Sequence, residues 1–418
     1  MAGDRSYAGF ITWMATTLLT GVLLVVLFVV VVDPYRLFRL VDIGGFNAVK
    51  PRPEHFQSEI KLAGAKALRP ATVLMGNSRV DVGIDPDSEQ LGAARRPAYN
   101  LAIPGTGVGT SREQFEHLRA AGAAPSTLLL GVDFFDFLLD PDSAEAPAKA
   151  PPGGLAGQRW KVETLFSLNA LLDAVTTLRI QRDPDAGTMT ARGFNPLHDY
   201  LRFAREDGYH SLFQQRALEN ARNFSLAPHG IARSRGDSSS EWRDLAALLD
   251  AAARGKTDIH LVIYPYHAQL MAMMEQTGLW PVFEQWKLRL LREIATVNAA
   301  HPGARIVLWD FSGYGAPQCE PIPARGDVVR ATRWYWESGH FKAALGERIL
   351  AKVFGAAGAA SGTGEFGFRL NAANWNENRD RIARERRACL AAEAAMFDAA
   401  AAMVADFRAR HPGNAPSR

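Results

Sequence analysis

The chain has 418 residues, with 47 basic and 44 acidic side chains and a net charge of +3. Both signs are spread along the sequence, which excludes the concentrated positive surface of a nucleic-acid binder. Two cysteines, Cys319 and Cys389, exclude a disulfide framework and a multi-cysteine metal site, and leave one bridge to be considered outside the cytoplasm. No metal-ligand cluster is apparent, and no cofactor is expected.

Tyr7 to Val32 carries no charged residue. About 26 residues at about 1.5 Å rise span about 39 Å, more than the ~30 Å hydrocarbon core of a bilayer. Apolar residues on every face predict a membrane span rather than a core helix. A cleaved signal peptide would have an apolar region of only ~7–15 residues and small residues at its cleavage site, whereas Asp33-Pro34-Tyr35-Arg36 follows here. Residues 1–36 are therefore read as a membrane anchor. Arg36, Arg39, Lys50 and Arg52 follow the span and only Arg5 precedes it, so the positive-inside count favours a cytoplasmic domain. The position of the apolar stretch and the chemistry below favour the opposite: a single-pass inner-membrane protein with its soluble domain in the periplasm.

Apolar, β-branched runs at 71–75, 98–102, 127–134, 259–264 and 305–311 predict buried strands. Helical spacing at 110–121 and 285–300 lies between them. Strands alternating with helices predict an α/β domain over 37–354, with a mostly parallel sheet covered on both faces. A gap at about 141–249 must carry its own structure. It opens on a Pro/Ala/Gly-rich stretch, 144–157, and has helical patterns near 161–182 and 211–223, which predicts an inserted helical cap. Residues 355–377 read as a flexible linker. A long helix from 378 to about 410 follows within the C-terminal 378–418 segment, with Ile382, Leu390, Phe397 and Val404 as a stripe that docks on the main domain.

The first strand runs into Gly76-Asn77-Ser78-Arg79. In open α/β sheets ligands bind at the carboxyl ends of strands, so Ser78 is well placed as a nucleophile, with helix capping as its ordinary alternative. A serine hydroxyl needs a base, and the candidate is His340 in Trp336-Glu337-Ser338-Gly339-His340, read as a loop-to-helix entry. Glu337 or Asp310, which ends the last strand, would orient the imidazole. His267, after the fourth strand, is read as a substrate contact or an ordinary loop residue. Trp334 and Trp336 would stack on sugar rings or pack beneath the loop. The Gly105-Thr106-Gly107-Val108-Gly109 run lacks the full spacing of a phosphate loop.

Together Gly76-Asn77-Ser78, Gly105, Gly131-Val132-Asp133 and Glu337-Ser-Gly-His340 resemble, in order and placement, the four blocks of the SGNH (GDSL-like) hydrolases over about 71–354. Within that family the chain looks most similar to membrane-anchored proteins of cell-surface polysaccharide O-acetylation. The resemblance implies a flavodoxin-like SGNH domain, Ser78 as nucleophile, His340 as base, and backbone amides of Ser78 and Gly105 as oxyanion donors. It further implies an esterase or O-acetyltransferase that acts on exported polysaccharide through an acyl-serine, beside envelope assembly partners.

Two departures stand out. Asp133 replaces the usual asparagine, and an ionised aspartate only accepts hydrogen bonds. That leaves Asp133 protonated in a dry site, orienting Arg79, or serving substrate binding with Arg79. Glu337 replaces the usual aspartate. These departures also support a second expectation, a catalytically decayed SGNH-fold scaffold of an envelope assembly. A generic α/β protein with no Ser78–His340 contact is the third.

Overall fold

The computed structural model describes residues 3–143, 160, 163–164, 167–226, 229–234, 239–355 and 366–411. Helix α1 (Gly3–Val32) contains an apolar run, Tyr7–Val32, long and apolar enough to cross a membrane. After it come α2 (Gln57–Leu68), β1 (Thr72–Met75), α3 (Ser78–Gly83), β2 (Ala98–Asn100), α4 (Val108–Ala120) and β3 (Thr127–Val132). The inserted region contributes α5 (Leu168–Arg179) and α6 (Asp199–Ser225). Next are α7 (Ser240–Arg254), β4 (Asp258–Ile263), α8 (Ala268–Gln276), α9 (Leu279–Ala300) and β5 (Ile306–Asp310). The chain closes with β6 (Tyr335–Glu337), β7 (His340–Phe341), α10 (Ala343–Phe354), β8 (Phe368–Leu370), α11 (Trp375–Ala392) and α12 (Ala394–Arg410).

The sheet order is β2-β1-β3-β4-β5-β8, parallel through β5, with β8 antiparallel on the edge. β1 and β3 are fully buried, as expected when helices cover both faces of parallel strands. The chain leaves β1 for β2 on one side and returns to β3 on the other, so the sheet reverses its winding beside β1. That reversal opens a crevice at the carboxyl ends of β1 and β3, where ligands bind in such sheets.

All five predicted strands are present, each within about two residues of its expected ends. Three elements differ. Residues 240–249, expected in the cap, belong instead to the crossover helix α7, packed against α4 and leading into β4. The expected 355–377 linker carries β8 and a 3₁₀ turn from residue 372 to 374, because Leu370, Arg369 and Phe368 complete the open edge of β5. Residues 356–365 of that linker, and the Pro/Ala/Gly-rich stretch 144–157, lie outside the described residues. The single long C-terminal helix is two helices bent by 96° at Glu393. Their buried Ile382, Phe397 and Val404 dock on the main core, while Leu390 stays exposed. Cys319 and Cys389 form a disulfide across 70 residues, with Cα atoms 5.8 Å apart, tying α11 to the segment after β5.

Candidate active site

β1 leads into Gly76, whose φ of +144° and close surroundings admit no side chain. A Cβ there would lie 2.7 Å from the Tyr264 hydroxyl and 3.1 Å from the Gly131 carbonyl. Asn77 then caps α3, its side-chain oxygen accepting from the Arg79 amide at 3.2 Å. Asn77, not Ser78, is therefore the cap, and the Ser78 hydroxyl is left for another partner. As the first residue of α3, Ser78 also has an N–H with no intrahelical acceptor.

That partner is His340, 262 positions away, whose Nε2 lies 2.7 Å from Ser78 Oγ. His340 is not at a helix entry. It sits on β7, which pairs antiparallel with β6 so that Glu337 and His340 lie directly opposite each other across the two-residue turn Ser338-Gly339. Cross-strand partners share a face, and the Glu337 carboxylate hydrogen-bonds His340 Nδ1. Glu337 also accepts from the Gly339 amide at 2.7 Å. Arg216 of α6 brings its Nε to 3.3 Å from Glu337 Oε2, a charge contact rather than an aligned hydrogen bond. Burial would raise the Glu337 pKa. The His340 charge and hydrogen bond, with Arg216 and the Gly339 amide, overcome this and hold it at about 2.

The alternative orienter, Asp310, is elsewhere. It accepts from Lys287 Nζ at 2.7 Å, Asn378 Nδ2 at 2.7 Å and the Ser312 hydroxyl at 2.6 Å, all buried. Its carboxylate joins β5 to α9 and α11, and Glu337 alone of the two holds the imidazole.

Asp133, expected among the oxyanion residues, is an acceptor for groups beneath the site. Asn77 Nδ2 donates to it at 2.7 Å, the Tyr266 hydroxyl at 2.7 Å, and the Arg79 guanidinium pairs with the same carboxylate. It therefore offers no donor to a reacting oxygen. Arg79 pairs with Asp133 and is mostly buried, its side chain 12% exposed. Its guanidinium carbon lies 5.3–5.8 Å from the centres of Phe135, Tyr264 and Tyr266, in cation–π range, and orienting Arg79 is the surviving role of Asp133. Asp136 shares the Asn77 amide at 3.2 Å. Burial, then the Asp133 charge, push its pKa up to about 8, against Arg79 and Asn77.

His267 is fully buried. Its Nδ1 accepts from the Gln269 amide at 3.2 Å and its Nε2 donates to the Glu320 carbonyl at 2.9 Å, which makes it a helix cap and removes it from substrate. Burial lowers its pKa to about 4, so the ring is neutral. Trp336 is buried with Val82, Leu197 and Tyr209, so its sugar-stacking role is replaced by packing. Trp334 is half-buried, with Arg333 and Arg348 at 4.3 and 5.3 Å from its ring. Gly105 lies exposed at φ +69° in the loop before α4. The Ile103 amide donates to the Gly76 carbonyl at 3.1 Å, tying that loop to the Ser78 turn.

Arg216, Asn77 and Tyr266 were not singled out from sequence. Tyr266 stands beside His267 in Tyr264-Pro265-Tyr266-His267, where the histidine is the residue with evident acid–base chemistry. Arg216 has no local signal, because its partner is 121 positions further along. A Ser–His–carboxylate chain of this geometry can pass the serine proton to the imidazole while the carboxylate fixes the tautomer and stabilises the charged ring. Among the described residues no group of acidic, histidine or cysteine side chains could hold a metal. Comparisons with family models, curated proteins and solved structures return no match.

Proposed function

We propose that this chain is a serine-type acyl-ester enzyme of the SGNH kind, an esterase or O-acetyltransferase of exported polysaccharide. The observation that carries the proposal is the Ser78–His340–Glu337 chain at the switch point of the sheet. The 2-1-3-4-5 order of the parallel strands, which is the flavodoxin-like order, supports the same reading.

In this mechanism Ser78 Oγ attacks the ester carbonyl carbon as His340 Nε2 takes its proton. The developing oxyanion meets the free Ser78 N–H, with the Gly105 N–H as second donor. The C–O bond to the leaving alcohol breaks and His340 returns the proton to that oxygen, leaving acyl-Ser78. Water or a sugar hydroxyl then attacks the acyl carbon, giving up its proton to His340; the bond from that carbon to Ser78 Oγ breaks and His340 returns the proton to Oγ. Which acceptor reaches the acyl-serine separates hydrolysis from transfer.

The α1 anchor and the Cys319–Cys389 disulfide support an inner-membrane protein with a periplasmic domain, since such bridges persist in oxidising compartments. The basic residues after α1 oppose it. The decayed-scaffold reading draws on Asp133, which supplies no oxyanion donor.

Full-length protein in detergent, treated with a serine-reactive fluorophosphonate and assayed on an activated acetyl ester, tests the proposal. Labelling confined to Ser78, lost in Ser78→Ala, and ester turnover are expected. Neither labelling nor turnover at neutral pH would leave the scaffold reading in its place.

A further inference from the structure

The end of α1 is built into the soluble domain. Val29 and Val32 are buried in one cluster with Ala170 and Ala174 of α5, and Phe28, Tyr35, Phe46 and Leu178 pack against it. Small residues at i and i+4 let two helices approach closely. Two contacts set the direction of α5. Near its middle, Asp173 accepts from the Tyr35 hydroxyl at 2.5 Å, and just past its end Gln181 exchanges bonds of 2.7 and 3.1 Å with the Val49 backbone. Its carboxyl end thus meets chain beyond the span, and its first turns lie back along the apolar run.

Leu168 and Leu172, also i and i+4, occupy the face of α5 roughly opposite the alanine pair. They are 69% and 53% exposed. The Tyr7–Val32 run is longer than a hydrocarbon core by roughly 9 Å, close to two helical turns. Because Val29 and Val32 are already buried against the domain, we take the excess to lie at this end of the run, which puts their turn at the headgroup layer and the start of α5 beside it. The loop that Asn47 straps to the Val32 carbonyl at 3.2 Å adds exposed Leu40 and Ile43, next to exposed Arg39.

We propose that α5 is an interfacial helix, with Leu168 and Leu172 seated in the headgroup layer of the bilayer that holds α1. The anchor is then a two-helix foot that fixes the orientation of the domain, rather than a tether about which it swings. The proposal rests on α1 lying in a bilayer and is independent of the acyl-enzyme reading.

The full chain has no cysteine outside the disulfide, so single substitutions can be labelled with bimane. Leu168→Cys and Leu172→Cys, with Leu18→Cys inside the span and Asp406→Cys as an exposed comparison, are reconstituted in phosphatidylcholine vesicles with 20% phosphatidylglycerol. Nitroxides are placed at the headgroup or deep in the acyl chain. Headgroup nitroxides are expected to quench labels at 168 and 172 at least twofold more than the label at 406, with deep nitroxides acting most on 18. Quenching at 18 with 168 and 172 no different from 406 overturns the foot and leaves the span. No quenching at 18 overturns both. Protection of 168 and 172 from aqueous iodide without lipid quenching also overturns it, in favour of a second copy covering this face.

Discussion

Arg216 Nε stands 3.3 Å from Glu337 Oε2, so a helix inserted between the third and fourth strands touches the carboxylate that holds His340. The contact is partly open to water, with the Arg216 side chain one-third exposed. Its worth is therefore that of a screened pair, about 1 kcal/mol or less, which is up to about fivefold in rate. Arg216→Gln is expected to slow fluorophosphonate labelling of Ser78 by that factor. It should also shift the acid limb of the rate–pH profile upward, because Glu337 loses one of the charges that keep it ionised. An unchanged acid limb would mean the cap does not act through Glu337.

Glu337 and Asp310 make opposite predictions. Glu337→Gln leaves an amide that can donate to Nδ1 and favour the wrong tautomer, so labelling of Ser78 should fall by about 10³–10⁴ with little change in melting temperature. Asp310→Asn leaves the Lys287 ammonium buried without its countercharge and should cost about 3–5 kcal/mol of stability, with the remaining folded protein labelled at the normal rate. Thermal melts and labelling rates on both variants separate orienter from strut. A reversed pattern would place the orienting role on Asp310.

Much of this frame was legible from local pattern. The five short apolar runs predict buried parallel strands because their length and β-branched content favour strands over buried helix segments, and helical patterns lie between them. Ser78 could be nominated because it follows the first strand, and His340 because a serine needs a base and Glu337 stands three residues before this histidine. What local pattern does not carry is pairing at long range. β8 exists because β5 would otherwise present an open edge, which a Gly/Ala-rich approach to it does not announce. The burial of Trp336 and His267 depends on what packs over them, and an aromatic or histidine near a loop looks the same whether covered or open. The bend at Glu393 interrupts a continuous helical pattern with no proline or glycine to mark it.

Asp133 is read as an anchor, and its replacement tests this directly. It accepts from Asn77 and Tyr266 and neutralises Arg79 beneath the Ser78 turn. Asp133→Asn restores a side-chain donor but takes away the carboxylate that Arg79 pairs with, leaving Asp136 as partial compensation, so stability should fall by up to about 3–5 kcal/mol and labelling should not accelerate. Faster labelling with unchanged stability would instead show that an asparagine at this position completes an oxyanion hole.

The Cys319–Cys389 bridge closes a 70-residue loop. Cross-links of this kind contribute about 2–4 kcal/mol. The double variant Cys319→Ser/Cys389→Ser should lose that amount in denaturant titrations, and wild-type protein under strong reductant should match it. The α11 contacts made by Asn378 and Arg381 should keep the fold cooperative. Equal stability with and without reductant would mean the thiols are not joined in the purified protein.

Asp136 provides a pH signature. Burial and the Asp133 charge raise its pKa to about 8, from an ordinary value of 3.8. The unfolded chain releases this proton near pH 4 whereas the folded chain keeps it up to about pH 8. The stabilisation it gives is therefore complete below pH 4 and is lost progressively as pH rises to about 8. Asp136→Asn cannot ionise, and its side-chain oxygen still accepts from Asn77. Relative to wild type, the variant should be nearly unchanged in urea titrations at pH 4.5 and increasingly more stable at pH 7 and pH 9. Parallel stability profiles across that range would show that Asp136 is already ionised in the folded protein, with Arg79 rather than burial governing its charge.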